Sequence, residues 1–249
     1  MKLGYLVSFA ALASVVACTE KFEEPAMGDY VTYEIDIKEL SGLCFNADMS
    51  ALLACGDKGV VKSISFDGKE IEDVWEYSSD MEGITVHPSS GDIYLAIEGR
   101  QEIHRLVAPA YSSQIVAFPI QEAIDNNYGN DGLEAVEFYK NNTLFVGSQR
   151  NANLWQYKTN GKLVSKVSLS GFAKEIAGLC YDQESGSLWV TDSKQAMIFV
   201  CKPDGTLLAS YDISWVDNAE SICIDRARSC VWVASDEDAT KLYKIDFKF

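Results

Sequence analysis

Glu220-Ser221-Ile222-Cys223-Ile224-Asp225 is a short phrase that occurs five times in this chain. Upstream it reads Ser41-Gly42-Leu43-Cys44-Phe45, Glu82-Gly83-Ile84-Thr85-Val86, Glu134-Ala135-Val136-Glu137-Phe138 and Ala177-Gly178-Leu179-Cys180-Tyr181. Each copy opens on a small or acidic residue and continues as an alternating apolar run. A turn then leads to a second apolar run with a polar end. The copies begin at residues 41, 82, 134, 177 and 220, so the steps are 41, 52, 43 and 43 residues. A period near this length, built from short strands, is the signature of a propeller blade. A β-sandwich does not repeat at this period.

Working outward, each of the first four copies supplies four strands separated by turn chemistry. The long step is explained by an extra segment at 121–132, which reads as one helical turn running into an Asn/Gly/Asp loop. The fifth copy supplies three strands before the sequence stops. Residues 30–37 alternate as a strand, with Val31, Tyr33, Ile35 and Ile37 on one face. That strand is the natural fourth, and pairing the two ends removes an exposed edge. The expected fold is therefore all-β, a five-bladed propeller closed by an N-terminal strand. A six-bladed ring is the alternative and would need a further blade. Asp67-Gly68, Asn160-Gly161 and Asp204-Gly205 read as tight turns between outer strands. Trp155, Trp189 and Trp232 recur within strands and should pack between blades.

The chain has 249 residues and a formal net charge of −16. That balance excludes nucleic acid as a partner, because phosphates attract basic surfaces. It suits cations, or solubility alone. Leu3 begins an apolar run too short to span a bilayer. The run ends in Val15-Val16-Ala17-Cys18, which resembles the lipobox of bacterial lipoproteins. The expected organisation is a signal peptide at 1–17, a lipid-anchored tether at 18–29 with the lipid on Cys18, and the propeller at 30–249. The expected place is the bacterial cell envelope, on the outer membrane or facing the periplasm. Of the six remaining cysteines, Cys44, Cys180 and Cys223 hold one position in three repeats. They read as small buried hydrophobes in separate blades.

The phrases Glu39-Leu40-Ser41-Gly42-Leu43, Asp80-Met81-Glu82-Gly83-Ile84, Gly132-Leu133-Glu134 and Glu175-Ile176-Ala177-Gly178-Leu179 carry a resemblance, as does Ile93-Tyr94-Leu95-Ala96-Ile97-Glu98. Together they resemble the SdiA-regulated (YjiK-like) family of bacterial envelope β-propellers. The resemblance implies a membrane-associated or periplasmic propeller, with a calcium-linked role in some members. Ala135 and Ser221 depart from it, since they stand where the other copies have Gly.

The innermost strand of each blade lines the axis. The loops that enter it and the loops that leave the second strand open on one face. Entry residues Glu39, Glu82, Glu134, Glu175 and Glu220 should gather there, in two settings. Glu82, Glu134 and Glu220 stand two residues before the first apolar residue of their copies, and Glu39 and Glu175 stand four before it. The exits Asp57, Glu98, Gln149, Arg150, Asp192, Asp236 and Glu237 should surround them. Converging carboxylates repel unless something offsets their charge, and Ca²⁺ does so with six to eight oxygens. Raised pKa values or pairing with Arg100 and Arg150 would serve instead, and ordinary solvated loop acids are the plain alternative. The candidate metal ligands are Glu39, Glu82, Glu134, Glu175, Asp192 and Glu220. Glu98, Gln149, Arg150 and Asp236 are the candidate contacts for a protein, glycan or small-molecule ligand. His87 and His104, the only histidines, read as structural residues of blade two. Zinc signatures, GxSxG, HExxH and a Gly-rich phosphate loop are absent from the sequence. The leading expectation is a binding module. A metal-dependent hydrolase of phosphoesters or lactones and a structural envelope scaffold are the alternatives.

Overall fold

The computed structural model describes residues 25–77, 79–111, 116–237 and 240–249. Cys18 and the expected signal peptide lie outside them. Five four-stranded antiparallel sheets surround an axis. Blade one holds β2 (Leu40–Phe45), β3 (Leu52–Gly56), β4 (Val60–Ile64) and β5 (Glu70–Glu76). Blade two holds β6 (Met81–Val86), β7 (Ile93–Ile97), β8 (Glu102–Leu106) and β9 (Val116–Pro119). The extra segment follows as helix α1 (Gln121–Asp125) and a 3₁₀ turn at Gly129–Asp131. Blade three holds β10 (Leu133–Tyr139), β11 (Thr143–Ser148), β12 (Asn153–Lys158) and β13 (Leu163–Ser168). Blade four holds β14 (Gly178–Asp182), β15 (Ser187–Asp192), β16 (Met197–Cys201) and β17 (Leu207–Asp212). Blade five holds β18 (Ala219–Asp225), β19 (Cys230–Ser235) and β20 (Lys241–Lys248), and β1 (Ala26–Glu34) completes it.

The five-bladed ring and its closure are as the repeat implied. The closing strand sits differently from its expected bounds. β1 pairs with β20 from Ala26 opposite Lys248 to Glu34 opposite Lys241, with an irregularity between Met27 and Tyr30. Its start therefore lies within the stretch read as tether. Ala26 and Met27 pair with Lys248 and Phe247, and Gly28-Asp29 form the irregularity that separates them from Tyr30. Ile35 and Ile37 lie beyond the strand, buried with Trp232, Leu43 and Leu52 between blades five and one.

The cores lie between blades. Trp155 packs with Tyr94 and Phe118 of blade two, and Trp189 packs with Ile222 and Phe247 of blade five. The three Gly turns are present with one refinement. Gly68, Gly161 and Gly205 take φ of 80°, 81° and 86°, while the Asp or Asn before each stays in the ordinary region.

The inner strands β2, β6, β10, β14 and β18 pack on one another in order, and β18 returns to β2. The second residue of the phrase is where they meet. A Cβ on Gly42 would lie 2.8 Å from Ile84 N, one on Gly83 2.7 Å from Val136 N, and one on Gly178 2.8 Å from Ser221 Cα. Those contacts are with backbone, which cannot step aside. Ala135 is accommodated because its partner across the β10–β11 pair is Gly147. Gly83→Val should therefore lower stability by ~1–3 kcal/mol or more through overpacking. Gly99→Ala, whose added Cβ meets nothing within 4 Å, should be close to neutral. Urea unfolding midpoints compare the two, and equal midpoints would contradict the close-approach account.

Candidate functional site

The first residue of the phrase occupies a break in the strand ladder. Pairing skips Ser41 in blade one, Glu82 in blade two, Glu134 in blade three and Glu220 in blade five. A bulge of this kind re-aims a side chain relative to the sheet. In blade four β14 begins one residue after Ala177, which instead donates its backbone N–H to Thr191 O at 3.0 Å.

The residue two positions earlier has its own repeated task. Its carbonyl accepts the N–H of the second-strand exit: Asp57 to Glu39 at 3.1 Å, Glu98 to Asp80 at 3.3 Å, Gln149 to Gly132 at 2.9 Å and Asp236 to Asn218 at 2.9 Å. This explains the two settings of the entry glutamates. Glu39 makes the clamp, Glu175 holds the equivalent position in blade four, and Glu82, Glu134 and Glu220 hold the bulge. Asp80, a clamp residue, was not among the sequence-derived ligands. Aligning the five copies on the phrase places it beside Glu39 and Glu175.

At the junction of blades one and two, Asp57, Asp80 and Glu82 bring one carboxylate oxygen each within 4.8 Å of one another. Ser41 Oγ donates to Asp57 Oδ1 at 2.5 Å. Burial, partly offset by that bond, pushes the Asp57 carboxyl up to about 6, with Asp80, Asp236 and Glu39 adding repulsion. Burial drives Glu82 far above the usual carboxylate range, reinforced by Asp57, Asp80 and Glu98. Glu134 rises in the same way, from burial and then Glu82, Glu220 and Glu98, and it shares a hydrogen bond with Glu98. Glu98 is raised mainly by burial, although the Gly132 N–H donates to its Oε1 at 3.2 Å. Burial also lifts Glu220 to about 8, with Glu175 the main neighbouring charge.

The remaining candidates fall outside this group. Glu175 is buried and paired with Lys194 at 2.7 Å, and accepts from Ser193 Oγ at 2.6 Å. Glu39 pairs with Lys58. Asp192 accepts from the backbone of Lys174 and Gln195 at 2.7 and 2.9 Å, and from the Gln195 side chain at 2.6 Å. It ties the loop after β15 to the segment that leads into β14. Asp236 accepts from Asn218 Nδ2 at 3.3 Å and faces the mouth electrostatically, since its charge acts on Asp57 and Glu220. Arg150 is exposed and stacks 5.7 Å above Tyr128. His104 Nε2 bonds Glu102 at 2.9 Å and His87 Nε2 bonds Asn142 at 3.1 Å, both in or beside strands of blade two.

The fold is thus a five-bladed β-propeller whose axis opens on one face among buried and half-buried carboxyls. Residues 151–248 match the model of the SdiA-regulated family. This agrees with the resemblance carried by the repeated phrases. No curated protein matches the chain. Among solved structures, virginiamycin B lyase from Staphylococcus aureus is similar at 12% identity and a TM-score of 0.54, covering 88% of this chain and 99% of that one. A streptogramin B lyase is similar at 14% identity and a TM-score of 0.53, covering 88% and 98%. Raptor from Chaetomium thermophilum is similar at 12% identity and a TM-score of 0.50, over 84% of this chain and 19% of that one. At these identities the likeness concerns the fold alone.

Carboxyls whose pKa folding raises take up protons as the chain folds. Their contribution is whole below the ordinary value of 4.5 and is lost as pH rises through the raised values, about 8 for Glu220 and higher for Glu82 and Glu134. The metal-free protein should therefore melt progressively lower between about pH 5 and about pH 9. Glu82→Gln combined with Glu134→Gln should flatten that fall. A wild-type melting profile that is level across this range would refute the picture of an uncompensated acidic mouth.

Proposed function

We propose that this chain is a lipid-anchored cell-envelope propeller that acts as a binding module, with Ca²⁺ held at the acidic mouth. The observation that carries the reading is the trio Asp57, Asp80 and Glu82, drawn from two blades, with oxygens already within 4.8 Å. The neighbouring carboxyls of Glu98, Glu134 and Glu220 are held above their ordinary values, chiefly by burial. A hard cation with oxygen ligands relieves that situation, and in binding it displaces protons. The ring of loops around it would then present a protein, glycan or small molecule with a surface of reduced negative charge.

Ca²⁺ should raise the melting temperature at pH 8, release protons on titration, and lose both effects in Asp80→Asn and Glu82→Gln. Calorimetry in weakly buffered solution reads the binding and the protons together. Unchanged melting with Ca²⁺ and with chelator would remove the cation from the proposal.

A second reading rests on Asp57, a member of the trio, and on neighbouring Glu220, whose carboxyls lie at about 6 and about 8. Values on either side of neutrality suit a base and an acid for metal-assisted hydrolysis of a phosphoester or lactone. Turnover of such substrates in the Ca²⁺-loaded protein would favour it over the binding module. The two lyases share the architecture, and no residue role passes from them at their identities.

Anchoring is supported by Val15-Val16-Ala17-Cys18. Cys18→Ser should move the chain from the membrane fraction to the soluble fraction and abolish incorporation of labelled fatty acid. Among the described residues no helix is long and apolar enough to cross a membrane.

A further inference from the structure

The fourth residue of the phrase forms a second ring around the same axis. In blade order it is Cys44, Thr85, Glu137, Cys180 and Cys223. Blades four, five and one are consecutive around the closed propeller, so the three thiols occupy one continuous arc. They are neighbours in fact as well as in register. Cys180 and Cys223 lie close enough to interact, and Cys44 interacts electrostatically with both.

The other arc is fixed. Thr85 Oγ1 donates to Glu137 Oε2 at 3.0 Å and accepts the Phe138 N–H at 3.0 Å. The Tyr181 N–H donates to Glu137 Oε1 at 3.0 Å. Glu137 therefore faces the thiols as a held carboxyl, and its charge reaches Cys44 and Cys223. All five side chains of the ring border a cavity of about 490 Å³ whose walls include Phe45 and Tyr181. Towards the acidic mouth the axis narrows to about 10 Å³, where Gly42, Gly83 and Gly178 crowd together. The two ends are separate sites.

We propose that Cys44, Cys180 and Cys223 are a three-thiolate site for one thiophilic divalent cation, of zinc or cadmium type, entered from the face opposite the acidic mouth. Thiolates suit such ions, and these thiols lie beside an open cavity. Cys55, Cys201 and Cys230 provide the contrast, since they are fully buried and line no part of it. The sulfurs would close on one ion by rotation about χ1. Among the described residues only the acidic trio already has its ligand atoms within 4.8 Å of one another.

Binding converts three S–H groups and M²⁺ into M(S)₃⁻ and releases three protons to solvent.

The test uses the full chain under reducing, oxygen-free conditions, with Cys18→Ala in every arm. Cd²⁺ should bind at one ion per chain by native mass spectrometry and produce a thiolate-to-cadmium charge-transfer band in the ultraviolet. Cys180→Ser with Cys223→Ser should abolish the band, as should Cys44→Ser. Cys201→Ala and Glu82→Gln should leave it intact. In the Cys18→Ala chain with no further change, Cd²⁺ should protect Cys44, Cys180 and Cys223 from alkylation, which reads the site without altering any of its three thiols. A band that survives the double serine variant, or alkylation of these three that Cd²⁺ does not slow, would overturn the proposal.

Discussion

Five strands around one axis leave very little room, and that crowding governs the molecule. At the second residue of the phrase the inner strands approach until only Gly, or Ala opposite a Gly, fits easily. Ser221 is the other exception, and its hydroxyl turns back to accept the Ala234 N–H at 3.2 Å. This waist divides the axis. Residues before it face one end and residues after it face the other. Because the phrase recurs in every blade, each choice of residue type is written as a ring.

The two rings differ in chemistry for simple reasons. Before the waist, bulges and clamps turn carboxyls together where water is scarce, so burial is the leading cause of their raised pKa values. Lys58 and Lys194 neutralise Glu39 and Glu175 at its edge. After the waist, three of five positions are sulfur and the single carboxyl is tied to backbone and hydroxyl donors. One end is built of hard oxygen donors and the other mostly of soft ones. A chain with net charge −16 keeps its second mouth almost free of acid at the ring itself.

Much of this was legible because repetition is a strong signal. The steps of 41 and 43 residues gave the blade count, and the missing strand of the fifth blade gave the closure. The start of β1 was hidden because Gly28-Asp29, an unpaired irregularity, separates Ala26 and Met27 from the alternating run that begins at Tyr30. The convergence of Glu82, Glu134 and Glu220 was readable from their shared position. Their separation from Glu39 and Glu175 was visible only as a two-residue offset, whose meaning needed the carbonyl clamp. Asp80 was present in a quoted phrase but escaped the ligand set for want of that alignment. The equivalence of Cys44, Cys180 and Cys223 was also readable. Placing them in separate blades was correct, yet equivalent positions on inner strands are adjacent around an axis, which makes separate blades the route to proximity.

The closing strand has a mechanical consequence. β1 runs antiparallel to β20, with Ala26 opposite Lys248 at the end from which the rest of the N-terminal segment departs. Tension on that segment, if directed across the strands, would load the terminal pair first and transfer inward one pair at a time. Such peeling needs far less force than shearing all the pairs together. Releasing β1 would bare the edge of β20 and reduce blade five to three strands, while the other four sheets stayed whole. The propeller therefore carries a tear line at its one composite blade.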